Sequence, residues 1–500
     1  MIVRRSLTLI GLIAALHGLF FIWYQRPDWY TQWSDQGGYR RLGHVLAETG
    51  KFTRYPDAPV FVPEVLRTPL YPMFVAVVYR VAGEHHAAVA LAQTPLFVLI
   101  CLLVYAITTR LASSQVALAA AAATAIFPPL PYFGALVMTE LWTAFVFTAG
   151  MWAIVRAIHI RTARAFALAG FLLSAAALSR PVFFLFPLAL ALAGVVVPPI
   201  ARVSPRPPLR SWAVMLVAAG VTLLPWFIYN YEAVGRITMS PAGGVGRGIW
   251  EGSWQAVWSG RLQDELTKAG ETAANREALD AHVQALASRE RQDAAPMLEY
   301  VHQWDDIRRI WTEPVDPQRR APARIEADRE YLRVGLNNLR HQSAAHLAKR
   351  VARGVFVLWA GEVPFRYSTI NDLPRLVIYG CWMIQAVIAI AALCGLIVLF
   401  FNGAGAPPPA RADADTSPRI HMSAARCGRG RTRRTLDAVV LGAPILYVTA
   451  AHVLLLTEAR QSLPAAPIVL LLATIGVAAL LPSRHHLLSL EPQVHEREHF

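Results

Sequence analysis

Charge is scarce in this sequence. Only 16% of its 500 residues are charged, whereas soluble domains carry about 25%. Together with 55% hydrophobic residues and a mean hydropathy of +0.38, this scarcity excludes an ordinary soluble protein. Stretches 87–108, 182–199, 376–401 and 464–482 hold almost no charge, and each is close to the roughly 20 residues that cross a bilayer. They predict an all-α, polytopic transmembrane bundle, because a helix satisfies its own backbone in lipid.

Three other absences narrow the class further. The sequence lacks the period-2 alternation of a membrane β-barrel. Its cysteines are Cys101, Cys381, Cys394 and Cys427; none lies in the large polar loops, which excludes a disulfide framework. No His or carboxylate cluster has metal-ligand spacing, so no cofactor is predicted, although a divalent metal is left open.

The net charge of +14 lies in short loops between apolar stretches. That pattern follows the positive-inside rule and does not form the contiguous basic surface that nucleic acid needs. The first stretch ends in Gln25-Arg26-Pro27-Asp28 instead of a small-residue cleavage site, so we interpret it as an uncleaved span. The inside anchors are Arg4, Arg5, Arg110, Arg156, Arg161, Arg164, Arg202, Arg206, Arg210 and the run from Arg411 to Arg434.

These anchors predict about ten crossings, with both termini inside and loops 25–86 and 230–374 outside. The short apolar pieces 69–82 and 354–365 are interpreted as re-entrant or surface helices. Residues 1–240 are predicted to form a membrane catalytic module, 241–374 a small helical extracytoplasmic domain, and 375–500 a second membrane module with a flexible basic cytoplasmic loop at 402–435. The predicted crossings are 6–24, 87–108, 116–134, 139–156, 165–180, 182–199, 211–229, 376–401, 436–457 and 464–482.

Trp250, Trp254 and Trp258 recur every four residues, which places them on one helix face. Such a stripe can line a sugar site or form an interfacial belt, and the belt is the favoured interpretation.

The unusual polar residues near span ends all fall on the outer side in this topology. Charge at membrane depth is costly, so these residues are candidates for function. Each also has a structural explanation: Glu140 suits a helix N-terminus, Arg180 could break a hairpin, and Asn230 could cap a helix. Their shared location favours a site. They are Asp35, Arg67, Glu140, Arg180, Asn230, Glu458 and Arg460.

The order of these residues resembles a known family. Asp35 and Tyr39 precede Arg67-Thr-Pro-Leu-Tyr71-Pro, then Met138-Thr-Glu140, Ser-Arg180-Pro, Pro225-Trp-Phe-Ile-Tyr-Asn230 and Glu458-Ala-Arg460. The set resembles the polytopic glycosyltransferases of the dolichyl-phosphate-mannose protein mannosyltransferase type, which include bacterial aminoarabinose transferases and have the GT-C fold. The resemblance covers about 1–240 and 436–482 and is weak over 250–350.

The resemblance implies transfer of a hexose or pentose from a polyprenyl-phosphate donor to a lipid, glycan or protein acceptor outside the membrane. The acid in the first outer loop, Asp35, would be catalytic, with Glu140 as a second acid. A carboxylate suits the loss of the acceptor's proton, and arginines suit the departing phosphate. Arg67, Arg180 and Arg460 are therefore expected to bind donor phosphate, supported by Tyr39, Tyr71, Asn230 and Glu458.

Two departures from the family pattern bear on these roles. Gln36 follows Asp35 where many relatives have a second acid, so Asp57 and Glu64 are alternatives to Glu140 for that acid. Gln461 follows Arg460 where relatives often have an aromatic residue. The composition suggests a bacterial inner membrane.

Three rivals remain as alternatives, and one of them is a catalytically inactive relative that serves as an assembly partner, against which the presence of Asp35 argues. A transporter would place charge near the midplane, often between internal repeats. A polysaccharide polymerase or ligase would also use outer-loop arginines, with its large loop late in the chain.

Overall fold

In the computed structural model, every regular element among the described residues is helical. The structure describes residues 2–30, 34–200, 206–312, 316–404, 419–453 and 455–481. The N-terminal helices are α1 (Ile2–Gln25), α2 (Ser34–Thr49), α3 (Leu70–Ala82), α4 (His86–Thr108), α5 (Ser114–Ala125), α6 (Pro129–Gly134), α7 (Thr139–Ile160), α8 (Ala163–Ser179), α9 (Phe186–Ile200) and α10 (Leu209–Val234).

Among the described residues, six α-helices follow in the polar region, and three more lie beyond residue 374. The polar-region helices are α11 (Val245–Trp254), α12 (Gly260–Thr272), α13 (Arg276–Glu290), α14 (Ala294–Thr312), α15 (Pro317–His341) and α16 (Ala344–Ala360). The last three are α17 (Arg375–Ala404), α18 (Arg419–His452) and α19 (Ala466–Leu480).

Eight of the described helices are long and apolar enough to cross a membrane. After Arg375, α17 exposes large apolar side chains, among them Leu376, Met383 and Ile390, as expected of a face in contact with lipid. The predicted multi-span helical bundle is thus confirmed. The eight segments are 2–28, 86–108, 139–160, 181–200, 209–234, 375–401, 434–452 and 459–480.

The two other predicted crossings are shorter than expected. The stretch 116–134 is interrupted after α5, because Pro128 and Pro129 remove backbone donors and start the separate helix α6. The stretch 165–180 is the 17-residue helix α8. Since Arg180 at the end of α8 lies 3.8 Å from Glu140 at the start of α7, α7 and α8 form an antiparallel hairpin.

The two short apolar pieces differ in form. Helix α3 has 13 residues, about 20 Å at 1.5 Å per residue, which is too short for a bilayer core of about 30 Å; it packs on α2 and α4. The piece 354–365 is the end of α16 and a following non-helical segment.

The predicted basic loop 402–435 is wrong in part. Residues 405–418 and Arg202 lie outside the described residues, but from Arg419 onward the backbone is a continuous helix that runs into the last-but-one span.

The tryptophan stripe belongs to the core of the polar region. Trp250, Trp254 and Trp258 are 0%, 7% and 7% exposed, and Tyr300 packs against all three rings. An interfacial belt needs rings exposed to lipid, so that interpretation is wrong, as is a sugar site formed by the whole stripe.

Candidate active site

Five charged residues from five separate segments meet at one end of the bundle. Asp35 lies in the first turn of α2 and Glu140 in the first turn of α7, where a negative charge is favoured by the helix dipole. Arg67 lies in the non-helical segment before α3. Arg180 ends α8 in an extended conformation that the following proline favours. Arg460 lies in a 3-10 helix, 459–465, that leads into α19.

Asp35 is held between two guanidinium groups. Arg67 Nη2 lies 3.1 Å from Asp35 Oδ1, and Arg460 Nη1 lies 3.4 Å from Oδ2. The Asp35 side chain is nevertheless 44% exposed, so its carboxylate faces the cavity as well as the arginines.

Arg460 contacts three carboxylates. Besides Asp35, its Nε lies 2.9 Å from Glu458 Oε2 and its Nη1 lies 3.4 Å from Glu140 Oε1. Glu140 also lies near Arg180, and its own side chain is only 2% exposed. A buried acid between two arginines fixes their positions, since its removal would leave buried charge uncompensated.

Arg67 is supported by aromatic packing and by a glycine. Its guanidinium stacks on the ring of Tyr39, 4.7 Å from the ring centroid, and Tyr39 packs edge-on against Tyr71. A side chain at Gly38 would overlap the Arg67 guanidinium. The sequence signal for this role is the Gly37-Gly38 pair in a helix that opens with a candidate acid.

The arginines dominate the electrostatics of Asp35. Burial acts to raise its pKa, but the guanidiniums of Arg460 and Arg67 outweigh burial and hold the pKa below its usual value. Asp35 is therefore an ionised carboxylate at neutral pH.

The charged residues line one cavity of about 180 Å³. It contains one solvent-exposed acid, Asp35, one buried acid, Glu140, and three guanidinium groups. The lining residues are Asp35, Tyr39, Leu66, Arg67, Thr68, Met138, Thr139, Glu140, Ser179, Arg180, Pro181, Gly243 and Arg460.

Asn230 and Tyr71 do not line this cavity. Asn230 Nδ2 donates to the Thr238 carbonyl at 2.7 Å, and Ser240 in the same loop donates to the Leu66 carbonyl at 2.8 Å. Asn230 thus stabilises the loop that holds the residue before Arg67. Tyr71 is buried beneath Tyr39.

The alternative second acids lie elsewhere. Glu64 is paired with Arg54 at 2.6 Å, Asp57 is exposed in the same loop and does not line the cavity, and Asp28 accepts a hydrogen bond from Ser368 at 2.8 Å. Of the candidates for a second acid besides Asp35, Glu140 is the one that lies beside Arg180 and Arg460.

Two residues, Gln461 and Glu362, have positions near the site that the sequence did not reveal. Gln461, which replaces an aromatic residue, forms a capping box with Glu458 and so fixes the turn that presents Arg460. Glu362 lies in an apolar cavity beside the site with Trp359 and Leu463; burial there raises its pKa to about 7.

Residues 66–229 match the family model of dolichyl-phosphate-mannose-protein mannosyltransferases. This match contains Arg67, Glu140 and Arg180, and it confirms the resemblance read from their order. No curated protein matches the sequence.

Two solved structures are similar in outline. One is the archaeal oligosaccharyltransferase AglB from Archaeoglobus fulgidus, in complex with an inhibitory peptide and a dolichol-phosphate; the identity is 14%, the TM-score is 0.50, and the match covers 95% of this chain. The chain spans 50% of that enzyme's length. The other is ArnT from Cupriavidus metallidurans bound to undecaprenyl phosphate, with 14% identity, a TM-score of 0.35, and 94% and 78% of the two chains covered. The likeness to the archaeal enzyme confirms the predicted GT-C-like fold.

Proposed function

We propose that this chain is a glycosyltransferase that moves a hexose or pentose from a polyprenyl-phosphate donor to an acceptor hydroxyl. The observation that supports it best is the meeting of Asp35 with Arg67, Arg180 and Arg460 in one cavity at the ends of the spans. We further propose that this end faces the periplasm or cell exterior of a bacterial inner membrane, where residues 1–240 and 375–500 form the membrane modules and 241–374 the extracytoplasmic domain.

In this proposal Asp35 is the general base. It takes the proton of the acceptor hydroxyl while that oxygen attacks the anomeric carbon of the sugar. The bond between this carbon and the phosphate oxygen breaks, and its electron pair leaves with the polyprenyl phosphate. Attack opposite to the leaving group inverts the anomeric configuration.

Arg67 and Arg460 hold the phosphate as its charge grows, with Arg180 behind them. Planar guanidiniums bind phosphate through two donors at once. Because both Arg67 and Arg460 pair with Asp35, a phosphate competes for their donors and weakens their hold on the carboxylate. Donor binding therefore raises the pKa of Asp35 and makes it a better base.

We assign Glu140 to positioning instead of proton transfer. Its side chain is almost fully buried and lies against both Arg180 and Arg460. It sets the spacing between Arg180 and Arg460.

The test is Asp35→Asn in the purified full chain, reconstituted in lipid and assayed for sugar transfer. The donor is first identified by mass spectrometry of polyprenyl-phosphate sugars that accumulate in cells lacking the protein. Loss of a general base lowers turnover by about 10²- to 10⁴-fold. The matched control is Asp57→Asn. Asp57 is an exposed acid in the same outer segment, 25–86, and its substitution keeps full activity. Near-normal turnover of Asp35→Asn would reject the base assignment.

A transporter or a polysaccharide polymerase is the weaker alternative. The charged residues lie at the ends of α7 and α8 and at the entry to α19, whereas transporters bind substrate near the midplane. The proposed base, Asp35, comes from the first outer segment of the chain, whereas a polymerase would use a loop late in the chain.

A further inference from the structure

A second cleft opens in the polar region, away from the five-residue charged cluster. We call it the outer cleft; it is formed by residues 256–259 and Leu262, by Glu290 and Gln292 at and just after the end of α13, and by Lys349 and Arg353 of α16. It encloses about 340 Å³, within the range of small-molecule sites.

The outer cleft is positively charged. Lys349 and Arg353 are four residues apart on α16 and therefore share a face. Arg353 Nη1 donates to the Trp258 carbonyl at 3.0 Å, which fixes its guanidinium at the wall. Lys349 has no ion pair within the described residues. The acid at the rim, Glu290, is already paired with Arg289 at 3.0 Å.

The N-terminus of α12 adds to the positive character of this wall. Ser259 caps it by accepting a hydrogen bond from the Leu262 amide at 3.2 Å, so the partial positive charge of the first turn lies beside Ser259 and Leu262 in the cleft wall. Three separate sources of positive potential thus converge on one cleft.

The backbone of the wall is held in an unusual conformation. Ala256 has φ +71°, which costs free energy for a residue with a side chain and is retained where the surroundings enforce it. The preceding residue supplies that restraint: Gln255 exchanges two hydrogen bonds with the Thr457 backbone, at 2.9 and 3.1 Å.

The hydrogen bonds between Gln255 and Thr457 also join the outer cleft to the cavity that contains Asp35 and the three arginines. Thr457 is followed by Glu458, whose carboxylate holds Arg460. A ligand in the outer cleft therefore lies against a segment that is fixed to the arginine-bearing turn.

We propose that the outer cleft binds an anionic saccharide, one that bears a carboxylate or a phosphate, and that this is the recognition site for the acceptor. Lys349 and Arg353 pair with the anion, and the sugar lies against the wall formed by residues 256–259. The acceptor role rests on the proposed glycosyltransferase activity, whereas binding itself does not.

The test measures binding of four probes to the purified full chain in nanodiscs of neutral lipid: glucuronate, glucose 6-phosphate, glucose and inorganic phosphate. We expect the two anionic sugars to bind at least about tenfold more tightly than glucose or phosphate, with affinity falling as salt rises. Lys349→Gln and Arg353→Gln each weaken anionic-sugar binding by about tenfold and leave glucose unchanged. Lys268→Gln, an exposed lysine of α12 outside the cleft, is the matched control.

Several outcomes overturn the inference. Equal binding of glucose and glucuronate removes the anion requirement, and phosphate binding as tight as glucose 6-phosphate removes the sugar. Unchanged affinity in both cleft variants, or no binding of any probe, removes the site. Asp35→Asn separates the two proposals: it abolishes transfer but leaves probe binding intact. If binding holds while the wild type transfers no sugar, the cleft stands and the proposed activity falls.

Discussion

At the scale of single residues, the central feature is the contact of Asp35 with two arginines that a substrate phosphate would also bind. The arginines keep the pKa of the carboxyl below its usual value, so in the free enzyme it loses function only when acid protonates it well below neutral pH. The negative charge of a bound phosphate offsets the guanidiniums and raises that pKa.

This competition predicts a shift between two pH profiles. The profile of kcat/KM for the donor reports ionisation in the free enzyme, and that of kcat reports the complex. We expect the acid limb of kcat to lie at higher pH than the acid limb of kcat/KM, by about one unit. Steady-state kinetics carried far enough into acid to reach a pKa below the usual aspartate value measure both limbs. Coincident limbs, or the reverse order, would contradict competition between Asp35 and the phosphate.

Gly38 provides a test of Arg67 that leaves the fold intact. A methyl group at this position overlaps the end of a flexible arginine side chain, so we expect Arg67 to move and the helix to remain. Gly38→Ala should raise the donor KM by about tenfold, because the guanidinium leaves its stack on Tyr39. The control is Gly37→Ala, where an added methyl contacts nothing within 4 Å. Equal kinetics of the two variants would mean that the position of Arg67 is unimportant.

At the scale of helices, small residues decide how closely the C-terminal spans approach. Gly395 of α17 and Gly476 of α19 face each other's helix, and a side chain at either would overlap backbone atoms of the partner. Close approach of this kind is a main source of helix association in lipid, where burial of apolar surface gives little.

Substitution of Gly395 by leucine therefore forces α17 and α19 apart. We expect a lower thermal unfolding midpoint and a loss of monodisperse protein in detergent, with a cost of a few kcal/mol, typical of overpacking. Gly380→Leu, on the same helix with open space at its Cβ, is the control and should be neutral. A Gly395→Leu protein as stable as the control would show that the two helices need no close contact.

The helices themselves were predictable where composition alone decides them. Long uncharged stretches such as 87–108 and 376–401 become helices because lipid leaves the backbone no alternative. The break at Pro128-Pro129 was missed because the apolar run continues across it and hydropathy does not register a lost backbone donor. The tryptophan stripe was misassigned because a four-residue period fits a buried face as well as an interfacial one.

At the scale of the whole molecule, the alternation of basic loops and apolar spans along the chain predicted which polar residues share a side of the membrane. Asp35, Arg67, Glu140, Arg180 and Arg460 indeed meet. This alternation could not predict which of these residues form ion pairs. Glu458 is close to Arg460 in the sequence, but the two other partners of Arg460, Asp35 and Glu140, become its neighbours only through three-dimensional packing. The outer cleft was also invisible, since Lys349 and Trp258 lie 91 positions apart in a region with no recognisable motif.

The orientation of the molecule is the last prediction, and it follows from the two ends of the α7–α8 hairpin. One end has Glu140 and Arg180 at the site. The other has the basic turn at Arg161 and Arg164, near which His159 contacts Asp437 at 3.1 Å. The positive-inside rule assigns the basic end to the cytoplasm.

Single cysteines test this orientation in a background where the four native cysteines are replaced by alanine. An impermeant maleimide should label Ser288→Cys, exposed on α13, in right-side-out vesicles, and Arg164→Cys only in inside-out vesicles. The two sites are matched because both are exposed and helical, so a difference in labelling reports the side and not burial. The reverse pattern would place the arginine-lined cavity in the cytoplasm, where nucleotide-linked sugars are made. It would then argue against a polyprenyl-phosphate donor even if Asp35 proved essential.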